Sequence, residues 1–288
     1  MKYISIIAAL VFFSACEFDL NNDLGLGEYE RELVVNAVIT PGLNPSVEIT
    51  QSSGILENAV FTQITAADVS LISDGRTYIM DLDDDNRFST ELAIIPNRQY
   101  ELRIALPGQG TIEAIERVPQ SIQFETLRIE DTVSISDFGI LLSEVDFSFQ
   151  DPGGVENFYE LLIFQVSEEG RVEFLPMRSN NISIENSGAA TVIGSGASDF
   201  INQALISDRL TDGQLQEMEI QILRAYPNQK VYVFLKSLPS TYYHYLLNLN
   251  AADENEDNPF TEQISIPSNI EGALGIFAAY TSVLDSIG

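Results

Sequence analysis

Residues 67–82 read ADVSLISDGRTYIMDL, two short runs of alternating character on either side of Asp74-Gly75. Asp-Gly supplies the positive-φ positions that a two-residue hairpin turn needs, and period-2 alternation suits strands with one buried face. The stretch predicts an antiparallel hairpin, and its surroundings repeat the theme. LVVNAVI (33–39) runs through TPGLNP into SVEITQS (46–52). RFSTEL (87–92), QYELRIAL (99–106) and TIEAIERV (111–118) follow, the last two separated by Pro107-Gly108. Closely spaced strands without a helix-length periodic segment predict a sandwich of immunoglobulin or transthyretin type. Pro119 ends the run, and a domain boundary is expected there.

The second half is also β-rich. SIQFETLRI (121–129), EVDFSFQ (144–150) and ENFYELLIFQV (156–166) read as strands, the last two joined through Asp151-Pro152-Gly153-Gly154. QEMEIQILRAY (216–226) and KVYVFLKSL (230–238) flank the Pro227-Asn228 turn, while residues 178–212 are polar and Gly/Ser-rich and are expected to form long loops. PSTYYHYLLNLN breaks the pattern: Pro239 suits a first helical turn, and Tyr242, Tyr245, Leu246 and Leu249 share one helical face. A helix is expected over 239–251, ended by DENEDNP before a final strand, TEQISIP (261–267). The expected architecture is mainly β, with sandwich domains at 31–119 and 120–288, the second carrying one covering helix.

The first residues address location. Lys2 precedes an apolar run, Ile4 to Phe13, interrupted only by Ser5. That run is shorter than the roughly 20 residues a membrane span requires, but it has the length of a signal-peptide core. Ser14 and Ala15 then precede Cys16, the only cysteine. Two readings compete. A general signal peptidase cuts near Ala15 and the thiol is incidental, or Phe13-Ser14-Ala15-Cys16 is a bacterial lipobox whose cysteine is lipidated and becomes the new N-terminus. The second reading is preferred, because no other thiol is present to form a disulfide. Residues 1–15 are then a leader, and residues 16–30 an acidic tether containing Glu17, Asp19, Asp23 and Glu28. These early acidic residues resemble the export signal of surface-exposed lipoproteins of the Bacteroidota.

The chain carries 14 Lys and Arg against 43 Asp and Glu, a formal charge of −29. Such a field repels nucleic acid and anionic lipid, so neither is an expected partner. The hydrophobic content, 45%, is that of a globular chain and argues against wholesale disorder.

LVVNAVITPGLNPSVEIT, FQDPGGVENFY and NPFTEQISIPSNIEGALGIFAAYT occur in that order. With the lipobox, they resemble the lipoprotein family called domain of unknown function 4249, over nearly the whole chain after Cys16. The stretch from Ser268 to Phe277 is the most specific part. Family members often carry Gly-Gly where this chain has Gly272-Ala273 and Ala278-Ala279. The resemblance implies a Bacteroidota outer-membrane lipoprotein, typically encoded beside a TonB-dependent receptor and serving as an accessory subunit in nutrient uptake. It carries over no catalytic residues. From the residues alone, SNIEGALGIF is expected to be a turn feeding a core strand, with a partner-docking loop as the other reading.

The search for chemistry returns little. His244 is the only histidine, placed among tyrosines with no neighbouring nucleophile or orienting acid. GSGAS (194–198) lacks the spacing of a nucleophile elbow and reads as a polar loop. Asp81, Asp83, Asp84 and Asp85 form DLDDDN, the best-supplied calcium candidate. It lacks the glycine and distal glutamate of an EF-hand loop and reads as an acidic hairpin tip. Asp253, Glu254, Glu256 and Asp257 read as a solvated run. Asp131-Thr132-Val133 and Asp285-Ser286-Ile287 resemble short O-glycosylation acceptors, at Thr132 and Ser286. No catalytic residue, cofactor or metal is expected. A receptor accessory is favoured over a surface adhesin or structural module, with a hydrolase third.

Overall fold

A computed structural model describes residues 31–54, 61–108, 110–135, 141–185, 200–224, 226, 228–255 and 264–288. Over these residues the protein is mainly β, with three sheets and one helix.

The first sheet contains β1 (Leu33–Ile39), β2 (Ser46–Gln51), β3 (Thr62–Gln63), β4 (Asp68–Ser73), β5 (Arg76–Leu82), β6 (Phe88–Ser89), β7 (Gln99–Leu106) and β8 (Gly110–Arg117). The expected hairpin at Asp74-Gly75 is present: Ser73 pairs with Arg76, and both turn residues have positive φ. Alternation sends Val35, Ala37, Val69, Leu71, Leu102 and Ile104 into one core. β5 pairs with β4 through Met80 and then with β6 from Asp81, so it turns the corner between two halves of the sheet.

The remaining strands are β9 (Phe124–Ile135), β10 (Leu141–Gln150), β11 (Phe158–Val166), β12 (Val172–Phe174), β13 (Met177–Arg178), β14 (Ile184–Glu185), β15 (Ala204–Ser207), β16 (Leu215–Leu223) and β17 (Val231–Leu238). Helix α1 (Ser240–Asn255) follows, then β18 (Leu274–Ala279) and β19 (Thr281–Ile287). A four-stranded sheet runs β13-β16-β10-β9. A six-stranded sheet runs β14-β15-β11-β17-β19, with β12 on β11. Their facing side chains, among them Phe147, Phe149, Tyr159, Ile163, Ile220 and Val233, form a second shared core.

The division of the chain differs from two consecutive domains. β18 pairs in parallel with β1, placing Phe277 opposite Ala37 and Ala279 opposite Ile39. The turn before it bridges Glu271 to Glu113 of β8, and the Glu271 N–H donates to the Glu113 carbonyl at 3.3 Å. The first sheet thus nearly closes on itself, using residues that come after all but the last strand of the second core. Only Tyr280 separates β18 from β19, which pairs with β17 in the other core. The chain crosses to the second core near Gln120, returns to the first between α1 and β18, and crosses again at Tyr280; the Thr281 hydroxyl donates to the Gln120 carbonyl at 3.0 Å. A further tie runs from α1: the Thr241 hydroxyl donates to Glu116, an inward-pointing carboxylate on β8 that is only 7% exposed. Burial raises the Glu116 pKa, opposed by the hydrogen bonds from Thr241 and the Arg117 amide.

Two local expectations need correction. Residues 264–267, within the anticipated strand TEQISIP, form no strand, and Ile266 is 39% exposed. The pairing position beside β1 is taken by 274–279 instead. On α1 the most buried residues are Tyr243 and Leu246, so the inward face is rotated from the anticipated one. The helix sits on Phe158, Leu205 and Leu238 at one end of the six-stranded sheet, and Tyr243 is the side chain that reaches Phe158, ring to ring at 4.4 Å.

Candidate functional site

Asp151 opens the DPGG turn between β10 and β11, and Asp208 and Asp212 lie between β15 and β16. Ligand oxygens of all three approach within 4.8 Å of one another, the one such carboxylate group among the described residues. Asp151 and Asp208 are each 1% exposed, whereas Asp212 is at the surface. Backbone geometry brings the two loops this close. A Cβ on Gly153 or on Gly213 would stand 3.0 Å from the other glycine's Cα, and Gly213 also has φ +70°. A side chain on either glycine would push the two loops apart by a few tenths of an ångström.

The carboxylates are held by donors from the opposite loop and, for Asp151, also by Tyr159 of β11. Asp151 accepts from the Tyr159 hydroxyl through one oxygen and from the Gly213 amide at 2.7 Å through the other. Asp208 accepts from the Asn157 amide at 2.9 Å and from Asn157 Nδ2 at 3.1 Å. Asp212 accepts from the Gly154 amide at 2.8 Å. Gln150 Nε2 closes the set, donating to the carbonyls of Asp151 and Gly213, each at 3.0 Å. The result is a polar staple joining the end of β10 to the loop before β16.

Burial pushes Asp151 up to about 6; the Tyr159 and Gly213 hydrogen bonds pull it down, and the neighbouring Asp208 charge adds to the rise. Tyr159 is driven far above the usual phenol range, first by burial and then by its bond to the Asp151 carboxylate. Because folding raises the Asp151 pKa above its ordinary 3.8, its contribution to stability is complete below that value and lost as pH rises through about 6. Asp151→Asn cannot titrate. The melting-temperature difference between parent and variant is therefore expected to be largest near pH 4 and to shrink toward pH 7. A difference independent of pH would refute a titrating Asp151.

Three carboxylates are hard ligands of the kind calcium accepts, but calcium takes six to eight oxygens. Here every carboxylate also accepts hydrogen bonds within the staple. The arrangement explains a rigid loop junction without an ion. A cavity of about 450 Å³ lies elsewhere, at the corner made by β5, among Asp68, Ser70, Ile79, Asp81 and Arg103.

The residues singled out from sequence fall at separate places. Asp83 organises its own hairpin, accepting from the amides of Asp85 at 3.0 Å and Arg87 at 2.9 Å, while Asn86 takes positive φ. Asp81, Asp84 and Asp85 join no carboxylate group among the described residues. His244 is exposed on α1, its Nδ1 2.7 Å from the Ser240 carbonyl oxygen one turn earlier. Asp131, beside Thr132, pairs with the buried Arg224 guanidinium. Ser286 lies within β19, opposite Tyr232. Asp253 and Glu254 are exposed at the end of α1. Cys16, GSGAS, Glu256 and Asp257 lie outside the described residues.

SNIEGALGIF forms a turn leading into β18. Asn269 holds one edge of that strand, its Nδ2 donating to the Phe277 carbonyl at 2.7 Å and its Oδ1 accepting from the Phe277 amide at 2.9 Å. Sequence reading missed this role and missed Asp208 and Asp212. The latter had a signal, because Asp212-Gly213 is another Asp-Gly turn, in a stretch expected to be loop.

A family model described as "Domain of unknown function (DUF4249)" matches residues 17–284. No curated protein matches the chain. Among solved structures it is similar to a mutant alpha-2-macroglobulin from Salmonella, at 9% identity and TM-score 0.25, covering 90% of this chain and 15% of that one. It is also similar to a putative membrane anchored protein from Corynebacterium diphtheriae, at 12% identity and TM-score 0.21, covering 72% and 54% respectively. A DUF4785 family protein from Legionella pneumophila matches at 13% identity and TM-score 0.25, covering 71% and 51%. The chain thus spans about half or less of the length of each, and likenesses at these scores carry no functional argument.

Proposed function

The chain belongs to the family described as domain of unknown function 4249; on that premise we propose that it is a non-enzymatic outer-membrane lipoprotein, an accessory subunit that helps a TonB-dependent receptor capture or gate its ligand. The observation that carries this reading is the position of Cys16, the sole thiol, directly behind a signal-length apolar run. Two or more acyl chains on such a cysteine anchor a protein stably, each buried methylene contributing about 0.8 kcal/mol. The domains would be sandwich modules held above the membrane by residues 16–30. The hydrogen-bonded staple around Asp151 is consistent with a rigid scaffold.

Mass spectrometry of the native protein tests the anchor. The expected mass lacks residues 1–15 and gains a lipid on Cys16; an unmodified thiol or an intact leader would overturn the reading. Cys16→Ser is expected to move the protein from the membrane fraction to the soluble one. Detergent extraction and pull-down should recover a β-barrel receptor, and recovery without one would favour a surface adhesin or structural module. His244→Ala should leave any hydrolysis detected in the preparation unchanged.

A further inference from the structure

One face of the six-stranded sheet is half covered. Along β11, Tyr159, Leu161 and Ile163 point into the shared core. The alternate residues, Leu162, Phe164 and Val166, face outward and are only half-buried. Register sets Leu162 beside Phe234 and Phe164 beside Tyr232 on β17. It continues with Leu284 beside Phe234 on β19, and Phe174 beside Phe164 on β12. The Phe164 and Tyr232 rings stack at 5.1 Å with an interplanar angle of 7°, and Phe174 meets Phe164 edge-on at 6.1 Å. Val172, Phe174 and Leu284 are 55%, 51% and 54% exposed. A solvated sheet face ordinarily carries polar residues at these alternate positions. A contiguous apolar patch is the mark of an interaction surface.

The other end of the same face shows what such a surface accepts. α1 lies there, with Tyr243 and Leu246 against Phe158, Leu205 and Leu238. The uncovered strip continues along the same strands from Leu162 to Val166, about 13 Å at roughly 3.3 Å per residue. A helix with its side chains is about 10–12 Å across, so one more fits beside α1. The chain's charge of −29 favours a helix with basic flanks.

We propose that the outer face of β11, β17, β19 and β12 docks an amphipathic helix of a partner protein, apolar on one side and basic on the other. The proposal is independent of the lipid anchor and of the partner's class. The probe is a Leu/Lys amphipathic peptide about five turns long, titrated into the full chain carrying labelled methyl groups. Saturable shifts are expected at Leu162, Val166, Val172 and Leu284. Phe174→Asp and Leu284→Asp should each weaken binding by about tenfold or more while the circular dichroism spectrum of the folded chain is kept, with Val172→Gln as a milder replacement if either fails to fold. A Leu/Glu peptide of the same pattern should bind more weakly. Shifts elsewhere or no saturable shift would overturn the proposal, as would equal binding by a scrambled Leu/Lys peptide. Phosphatidylcholine vesicles perturbing the same methyls in place of the peptide would assign the face to a membrane and likewise overturn it.

Discussion

Gly275→Ala is expected to open the first sheet, at a cost on the order of 4 kcal/mol. A Cβ at this position would stand 2.1 Å from the Val35 carbonyl oxygen and 2.9 Å from its carbon. Both obstacles are backbone atoms of β1, and a methyl group has no rotamer by which to escape them. The residue also holds φ +96°, a conformation L side chains resist. Relief requires β18 to move away from β1, which withdraws Phe277 and Ala279 from the core. Gly272→Ala is the control. That residue has φ +85° but nothing within 4 Å, so only the backbone penalty of about 1 kcal/mol remains. Urea unfolding followed by far-ultraviolet circular dichroism measures both. Equal, small losses for the two variants would refute the close contact with Val35.

Lys236→Met is expected to cost about 3–5 kcal/mol. The Lys236 ammonium lies 2.7 Å from Glu160, and the two side chains are only 13% and 4% exposed. Glu160 also accepts from Gln203, which in turn accepts from Asn250 at the far end of α1. Lys236 further lies 5.1 Å from the ring centre of Tyr280, the residue at which the chain crosses between cores. Removing the ammonium leaves a carboxylate without its counter-charge in a poorly solvated site. The double variant Lys236→Met with Glu160→Leu removes both charges and is expected to recover most of the loss. Thermal melts of the two single variants and the double variant decide it. If the double variant is as unstable as the sum of the singles, the pair is not coupled as described.

What could be read from the sequence follows the range over which each signal acts. LVVNAVI, RTYIMDL and QYELRIAL are strands at the residues expected, because period-2 alternation and an adjacent turn are local properties. The helix was legible from Pro239 onward, but its buried side was not. Tyr243 faces inward because Phe158 lies there, and that contact spans 85 residues of sequence. β18 could not be placed, since LGIFAA says nothing of a parallel partner at 33–39. The anticipated strand at TEQISIP illustrates the same limit: its alternation is real, but residues 264–267 pair with no strand among the described residues. At the candidate site, DPGG marked a turn, yet the carboxylates that meet Asp151, Asp208 and Asp212, come from a loop about sixty residues further along. Asp83 shows the converse. An acidic run suggestive of ion binding is organised by its own backbone amides, a purely local solution.

The late arrival of β18 sets a schedule for biogenesis. Chains emerge N-terminus first at about 5–20 residues per second, so the polypeptide must lengthen for tens of seconds after β1 appears before its parallel neighbour exists. Throughout that interval one margin of β1 has no hydrogen-bonding mate, and the nascent barrel stays unsealed. A chain that ends before residue 270 keeps that margin open for good, and such a species is prone to pairing with its own kind.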